Sequence, residues 1–229
     1  MKHAIIKAFP VSIPVLLGYV PLGIAFGIMM AHAGYSVVWA LGSSMFIYTG
    51  TGQFMEVGFL KTAASLLEVA LVMLVLNSRM MFYGLSFLEK FNSMGALKWY
   101  MIFSLTDETY ALLCAVKCPD GVDEKRFMLA LSAMNQLYWI SGGLIGTLVG
   151  SVIPFDITGI DFVMTALFVV LAMDQWKVYR SHEPAIIGLL GSLVMLAILG
   201  PDDFMIPALF VIVAGLIVRR RKIEGAEGA

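Results

Sequence analysis

The chain is predicted to be an all-α polytopic membrane protein of about seven to eight transmembrane helices, and three observations carry that prediction. Of 229 residues, 60% are hydrophobic and only 14% charged, with a mean hydropathy of +0.89; soluble domains carry about 25% charged residues. Runs of about 20 apolar residues, the length that crosses a bilayer, follow one another with short polar gaps. The basic residues are also distributed unevenly between alternate gaps, as the bias of Lys and Arg toward cytoplasmic loops requires.

Eight apolar segments are legible, at about 11–31, 37–60, 63–87, 99–117, 127–152, 161–177, 184–200 and 203–219. They form one transmembrane transport domain over 1–229. Met1-Lys2-His3-Ala4 is weakly basic, but the stretch after it contains Pro14 and Pro21 and shows no cleavage pattern, so it is read as the first span. The last two segments are short, and a re-entrant pair is the alternative to two spans. With a cytoplasmic N-terminus, twelve of the 15 Lys and Arg fall in inside loops, among them Lys61 and the run Arg219–Lys222. Lys90 and Lys98 fall outside, and Arg79 lies within a span. This count places both termini in the cytoplasm. Trp99 and Trp176 fall near span ends, where indole favours the headgroup layer. A net charge of −1 points to no nucleic-acid partner.

Three places suit a continuous lipid-facing helix poorly. In Gly18-Tyr19-Val20-Pro21-Leu22-Gly23-Ile24-Ala25-Phe26-Gly27, the proline removes a backbone donor and the glycines permit close approach. A break there competes with simple helix packing. In Tyr48-Thr49-Gly50-Thr51-Gly52-Gln53-Phe54, two glycines lie among hydrogen-bonding side chains. Irregular backbone survives in a bilayer only against protein or a wet cavity. A half-helix restarting near Gln53 would present free amides and a positive dipole end to a carboxylate. In Ser104-Leu105-Thr106-Asp107-Glu108-Thr109-Tyr110, two adjacent acids lie mid-segment, where a charge costs roughly 2.5–3.5 kcal/mol on insertion scales. Such a group is suited to taking up and releasing a proton. The helices are therefore expected to be discontinuous near Pro21, Gly50–Gly52 and Asp107.

Candidate substrate-binding residues are Pro21, Gly23, Gly50, Thr51, Gly52, Gln53, Asn77 and Arg79, and candidate proton-coupling residues are Asp107 and Glu108. Arg79, in Leu76-Asn77-Ser78-Arg79, offers a planar fork to one of those acids or to a substrate carboxylate. Glu56 and Glu68 are further acids in apolar segments, each readable as a helix-end residue. Asn135 and Gln136 are candidates to line a cavity, Ser141-Gly142-Gly143 and Gly146 to pack against a neighbour, and Asp161 to cap the sixth segment. Cys114 and Cys118 read as ordinary thiols. No P-loop, HExxH or CxxC motif occurs, and the three histidines lie in terminal or loop positions. No metal, no cofactor and no catalytic residue is expected, and the protein is not expected to be an enzyme.

Val20–Gly27, Tyr48–Phe54, Leu76-Asn77-Ser78-Arg79 through Tyr83-Gly84, and Thr106-Asp107-Glu108 together resemble the AzlC family, the large subunits of bacterial branched-chain amino acid exporters. In the family the second motif more usually reads F-A-G-A-S-Q-F, so the small residues differ here. The resemblance implies export of leucine, isoleucine and valine, with methionine a further candidate, across the bacterial cytoplasmic (inner) membrane. It also implies coupling to the proton motive force and a small AzlD-like membrane partner subunit. Under that reading the Gly50–Gln53 break or Arg79 meets the carboxylate, and Asp107 or Glu108 meets the ammonium or carries the proton. Phe26, Met30, Phe54 and Met81 then line an apolar pocket. The alternatives are a non-transporting scaffold subunit and a transporter of another small solute.

Overall fold

The computed structural model describes residues 2–152 and 181–227 and, between them, Phe162, Ala166, Val169, Met173 and Trp176. The side chains of Arg79, Phe82 and residues 201–203, 205, 206 and 221–227 lie outside the description. Most of the sixth apolar segment, with Asp161, is outside it too. The described residues are helical, with no strand among them. The chain divides into two compact units, Met1–Asp161 and Phe162–Ala229.

In the first unit the elements are α1 (Lys2–His32), α2 (Val37–Phe46), α3 (Gly50–Thr62), α4 (Leu66–Ser86), α5 (Leu88–Asn92), α6 (Leu97–Phe103), α7 (Asp107–Ala115) and α8 (Glu124–Val152). By length and composition α1 and α4 can cross a membrane. The 29 residues of α8 would extend about 44 Å. α1 and α8 run parallel. Ala4 and Ala8 pack with Phe127, Ala130 and Leu131 at one end, while Gly23 and Gly27 meet Gly142, Gly143 and Gly146 further along, and Ile28 and Ala31 meet Gly150 at the other end.

That seam is made of small residues. A Cβ on Gly142 would stand 2.6 Å from the Val20 carbonyl oxygen, and one on Gly23 would stand 2.9 Å from that of Trp139. Helices can approach this closely only where side chains are absent, and in a bilayer such packing replaces the missing hydrophobic drive. The expected discontinuity at Pro21 is corrected here. α1 continues through Pro10, Pro14 and Pro21, and Gly23 and Gly27, just after Pro21, serve the contact with α8 that supports the helix there.

The other two expected interruptions occur, at Ile47–Thr49 and at Ser104–Thr106, and at each the chain turns back. Ser43 on α2 bonds to both Gln53 and Glu56 on α3. A continuous helix would set residues 43 and 56 about 20 Å apart. α2 and α3 are therefore the two arms of a re-entrant hairpin that enters from the end where α1 finishes. Likewise α6 and α7 form a hairpin from the opposite end. Phe87, Phe91, Met94 and Met101 pack with Met128, and Leu112, Leu113 and Val116 pack against Ala4, Ala8 and Phe127. Between the hairpins α4 runs antiparallel to α3: Gly52 lies against Met73, and Thr49 bonds to Asn77. Its far end, at Tyr83 and Phe87, stacks on Tyr110 of α7. The first unit is thus a crossing helix plus hairpin (residues 2–62), the same motif inverted (66–115), and then α8.

This arrangement corrects the loop assignment based on charge. Lys90 pairs with Glu124 at 2.8 Å, and the Lys125 ammonium donates to the Ser93 carbonyl. Lys90 and Lys98 therefore share an end with Lys2, Lys7, Lys117, Lys125 and Arg126, and Lys61 lies at the other end. A pattern of full crossings had put two hairpin arms on the wrong sides. The corrected asymmetry within this unit is stronger than the expected one.

The second unit contains α9 (Glu183–Asp203) and α10 (Met205–Glu227). They run antiparallel: Gly191 faces Ile212, Gly215 faces Ile187, and Arg219 bonds to Glu183 at 3.5 Å. Gly200, at φ 78°, kinks α9 just before Pro201. Glu183–Gly200 is long and apolar enough to cross a membrane.

Gly146→Ala is expected to destabilise the unit by about 1–3 kcal/mol, the usual cost of overpacking, because its Cβ would fall against the Ile24 backbone. Gly18→Ala, which meets open space, is expected to change nothing. Melting of both variants in detergent, followed by size-exclusion chromatography, checks the pair.

Candidate functional site

The hairpin tips meet halfway along α8. Tyr48 in the first tip and Phe103 beside the second have ring centroids 6.1 Å apart. Three residues of α8, on adjacent turns, hold both tips. Gln136 donates its amide hydrogen to the Met45 carbonyl at 3.2 Å and accepts from the Tyr100 hydroxyl at 2.8 Å, so one side chain bridges the two hairpins. Trp139 reaches the first hairpin and Asn135 the second.

At the first tip the direction of every hydrogen bond is fixed. Trp139 Nε1 can only donate, and it meets Gln53 Oε1 at 2.7 Å. The Gln53 amide nitrogen therefore points the other way, donating to Ser43 Oγ at 2.9 Å and Ser44 Oγ at 3.4 Å. With that lone pair engaged, Ser43 turns its single hydrogen to Glu56 Oε2. All five side chains stem from buried or half-buried positions.

The second tip repeats the scheme. Asn135 Nδ2 donates to Thr109 Oγ1 at 3.0 Å. Thr109 Oγ1 lies 3.1 Å from Thr106 Oγ1, which lies 2.6 Å from the Tyr19 hydroxyl, and Tyr19 donates to Glu108 Oε2 at 2.6 Å. Each chain starts on an α8 donor and ends on a carboxylate. Thr106 is also the N-cap of α7, accepting from the Thr109 amide at 3.3 Å. Thr49 caps α3 at the corresponding place but turns its hydroxyl to Asn77 at 2.9 Å. Asp107 and Glu108 occupy the first turn of α7, where the helix dipole favours negative charge. The Tyr48 hydroxyl and Asn135 Oδ1 are buried without a hydrogen-bond partner among the described residues, and Tyr48 sits at φ 40°, a strained backbone for a bulky residue.

The candidates named from sequence separate accordingly. Gln53, Asn77 and Glu108 belong to this assembly, and Asp107 precedes Glu108 in the first turn of α7. Gly50 packs under the Trp139 ring and Gly52 under Thr49; α3 restarts at Gly50, one turn before the expected Gln53. Thr51 is half-buried in the first turn of α3. Pro21 and Gly23 belong to the α1–α8 seam. Arg79 lies on α4, and its side chain is outside the described residues. Phe26, Met30 and Phe54 are fully buried packing residues, and Met81 is exposed. Glu68 serves the start of α4, whose N-cap Ser65 accepts from its amide. Tyr19, Ser43 and Trp139, which were not sequence candidates, join these hydrogen-bond chains, and Glu56, readable from the sequence as a helix-end residue, ends the first of them. The i, i+1, i+4 spacing of Asn135, Gln136 and Trp139 was the available signal.

Two cavities flank the hairpins. One, of about 420 Å³ and half-open, lies between α3 and α4. Its polar lining is Thr49, Glu56 and Asn77; its apolar wall includes Phe59, Leu66, Val69 and Met73. The other, of about 340 Å³, lies between α7 and α8 at the basic end, beside Leu113, Val116, Lys117 and Glu124. Counted from the capping threonines, Glu56 and Phe59 stand where Leu113 and Val116 stand in the inverted hairpin. Cys114 and Cys118 are free thiols; desolvation, then the nearby Glu124 and Asp123, push the Cys118 thiol up. No cluster that could hold a metal ion occurs among the described residues.

The AzlC protein family matches residues 14–153, the stretch that holds most of α1, both hairpins, α4 and α8. An uncharacterised membrane protein of Helicobacter pylori is 42% identical over 220 residues, covering 95% of each chain. The branched-chain amino acid transport protein AzlC of Bacillus subtilis is 38% identical over 221 residues, covering 96% of this chain and 87% of that one. The inner membrane protein YgaZ of Escherichia coli is 26% identical over 198 residues, covering 82% and 80%. No solved structure matches.

Trp139→Phe removes the only donor to Gln53 Oε1 among the described residues and is expected to cost about 1–3 kcal/mol, the penalty for a buried acceptor left unmade. Adding Gln53→Met should cost less than the sum of the two single changes. Denaturation of the four proteins in detergent micelles measures this coupling.

Proposed function

The chain belongs to the AzlC family, and from that premise we propose that it is a secondary transporter, not an enzyme, that exports leucine, isoleucine and valine, with methionine as a further candidate. On this reading the proton motive force drives it, it works with a small AzlD-like membrane subunit, and its 229 residues act as one transport domain. It resides in the bacterial cytoplasmic membrane with both termini cytoplasmic, as the basic end of the first unit and the run Arg219–Lys222 suggest.

The observation that carries the proposal is the pair of inverted re-entrant hairpins whose tips meet mid-path, each tied by a hydrogen-bond chain to a carboxylate. Inverted repeats with broken helices at their interface are the architecture by which many secondary transporters expose one site to two sides in turn. Carboxylates at membrane depth are costly and mark ion or proton pathways. The named function of the Bacillus subtilis relative supplies the substrate class. Asp107 and Glu108, at the start of a half-helix where Glu108 is joined to α1 through Tyr19, are the groups assigned to proton coupling. A proton arriving at Glu108 changes what the Tyr19 hydroxyl can donate to, and so links protonation to the contact between the second tip and α1.

Efflux of preloaded labelled leucine is the test, in cells expressing this chain with and without the small partner. Wild type with its partner is expected to accelerate efflux, and a protonophore to abolish the gain. Asp107→Asn and Glu108→Gln together should remove the protonophore-sensitive part at normal membrane abundance. Unchanged pH-dependent efflux in the double variant would remove those acids from the coupling step.

A further inference from the structure

The cavity between α3 and α4 is mainly apolar, with Thr49, Glu56 and Asn77 as its polar lining. About 420 Å³ is within the usual range of small-molecule sites, which are mainly apolar with a few fixed polar groups. Here the apolar wall is supplied by Phe59, Val69 and Met73, and the one acid among the described lining residues is Glu56. No basic side chain is among the described lining residues. The Trp139–Gln53–Ser43 chain engages Glu56 at Oε2 from behind and pins the carboxylate at the cavity wall. The inverted hairpin has Leu113 at the corresponding position, so hairpin packing does not demand an acid there. An anchored acid facing an apolar chamber is complementary to a small molecule that carries an ammonium group on a branched hydrocarbon.

We propose that this cavity is the substrate site, with Glu56 receiving the α-ammonium group and Phe59, Val69 and Met73 receiving the branched side chain. The inference rests on the transport reading and adds what that reading lacks: the place of binding and the residue that selects an amino acid over the corresponding keto acid. It also separates two tasks, leaving the coupling proton to Asp107 and Glu108 while Glu56 contacts substrate.

The experiment uses everted membrane vesicles from cells expressing this chain with its small partner, and it measures labelled leucine uptake under an imposed pH gradient. Glu56→Gln is expected to raise the half-saturating leucine concentration at least tenfold, Glu56→Asp less, and Val69→Trp, which fills the chamber, to abolish uptake. Membrane abundance of each variant is measured in parallel, and Glu68→Gln, at the start of α4, should behave as wild type. Unlabelled 4-methyl-2-oxopentanoate, which keeps the branched chain and carboxylate but lacks the ammonium, should fail to compete. Wild-type half-saturation in both Glu56 variants, or competition by the keto acid equal to that of leucine, overturns the site while leaving transport intact. Absence of leucine uptake by the wild-type pair overturns the transport reading itself, and the site with it.

Discussion

A backbone amide or carbonyl in the middle of a bilayer has no water to turn to, so any break in a helix at that depth must be closed by protein. Both hairpin tips of the first unit are anchored by one stretch of one helix. Gln136 satisfies the Met45 carbonyl at the end of α2 and accepts from Tyr100 on α6, and its neighbours Asn135 and Trp139 tie down α7 and α3. α8 can do this because it lies directly against α1, along a glycine seam that leaves its other faces free for the tips. Seam, anchor and tips form a dependent series: without the close approach of α1, Tyr19 would not reach Glu108 across the second tip.

Inversion gives this series its functional meaning. The same element, a crossing helix followed by a hairpin with a threonine cap at its restart, occurs twice in opposite orientation, and a cavity lies beside the second arm of each hairpin. The copies differ where chemistry would make them differ. The first carries Glu56 where the second carries Leu113, and the second carries Asp107 and Glu108 where the first carries Gly50 and Thr51. Shared architecture with unequal charge is what a carrier requires if one half recognises substrate and the other senses protons.

Much of this was legible in the sequence. Apolar runs gave the helical membrane class, and the clusters Tyr48–Gln53 and Ser104–Glu108 marked both interruptions, since polar and small residues at membrane depth have few other uses. Two things were not legible. Pro21 resembles a breaker, yet whether a proline opens a helix depends on a partner surface, here Gly142 and Gly146, that lies more than a hundred residues away. Periodicity also cannot tell a helix that continues beyond a break from one that reverses, because each arm is apolar in either case; that difference misplaced Lys61, Lys90 and Lys98. Trp139 and Ser43 escaped notice for a related reason: their roles arise from hydrogen bonds between segments and leave no local pattern.

The chain reverses at Ile47–Thr49, and labelling from one side of the membrane tests that reversal most directly. In a background lacking Cys114 and Cys118, single cysteines at Ser36, Lys61 and Lys90 would be reacted in whole cells with a membrane-impermeant maleimide. The re-entrant hairpin predicts that positions 36 and 61 behave alike and that position 90 behaves oppositely. Labelling of 36 and 61 from opposite sides would mean that the segment crosses the membrane, and the meeting of the two tips would fall with it.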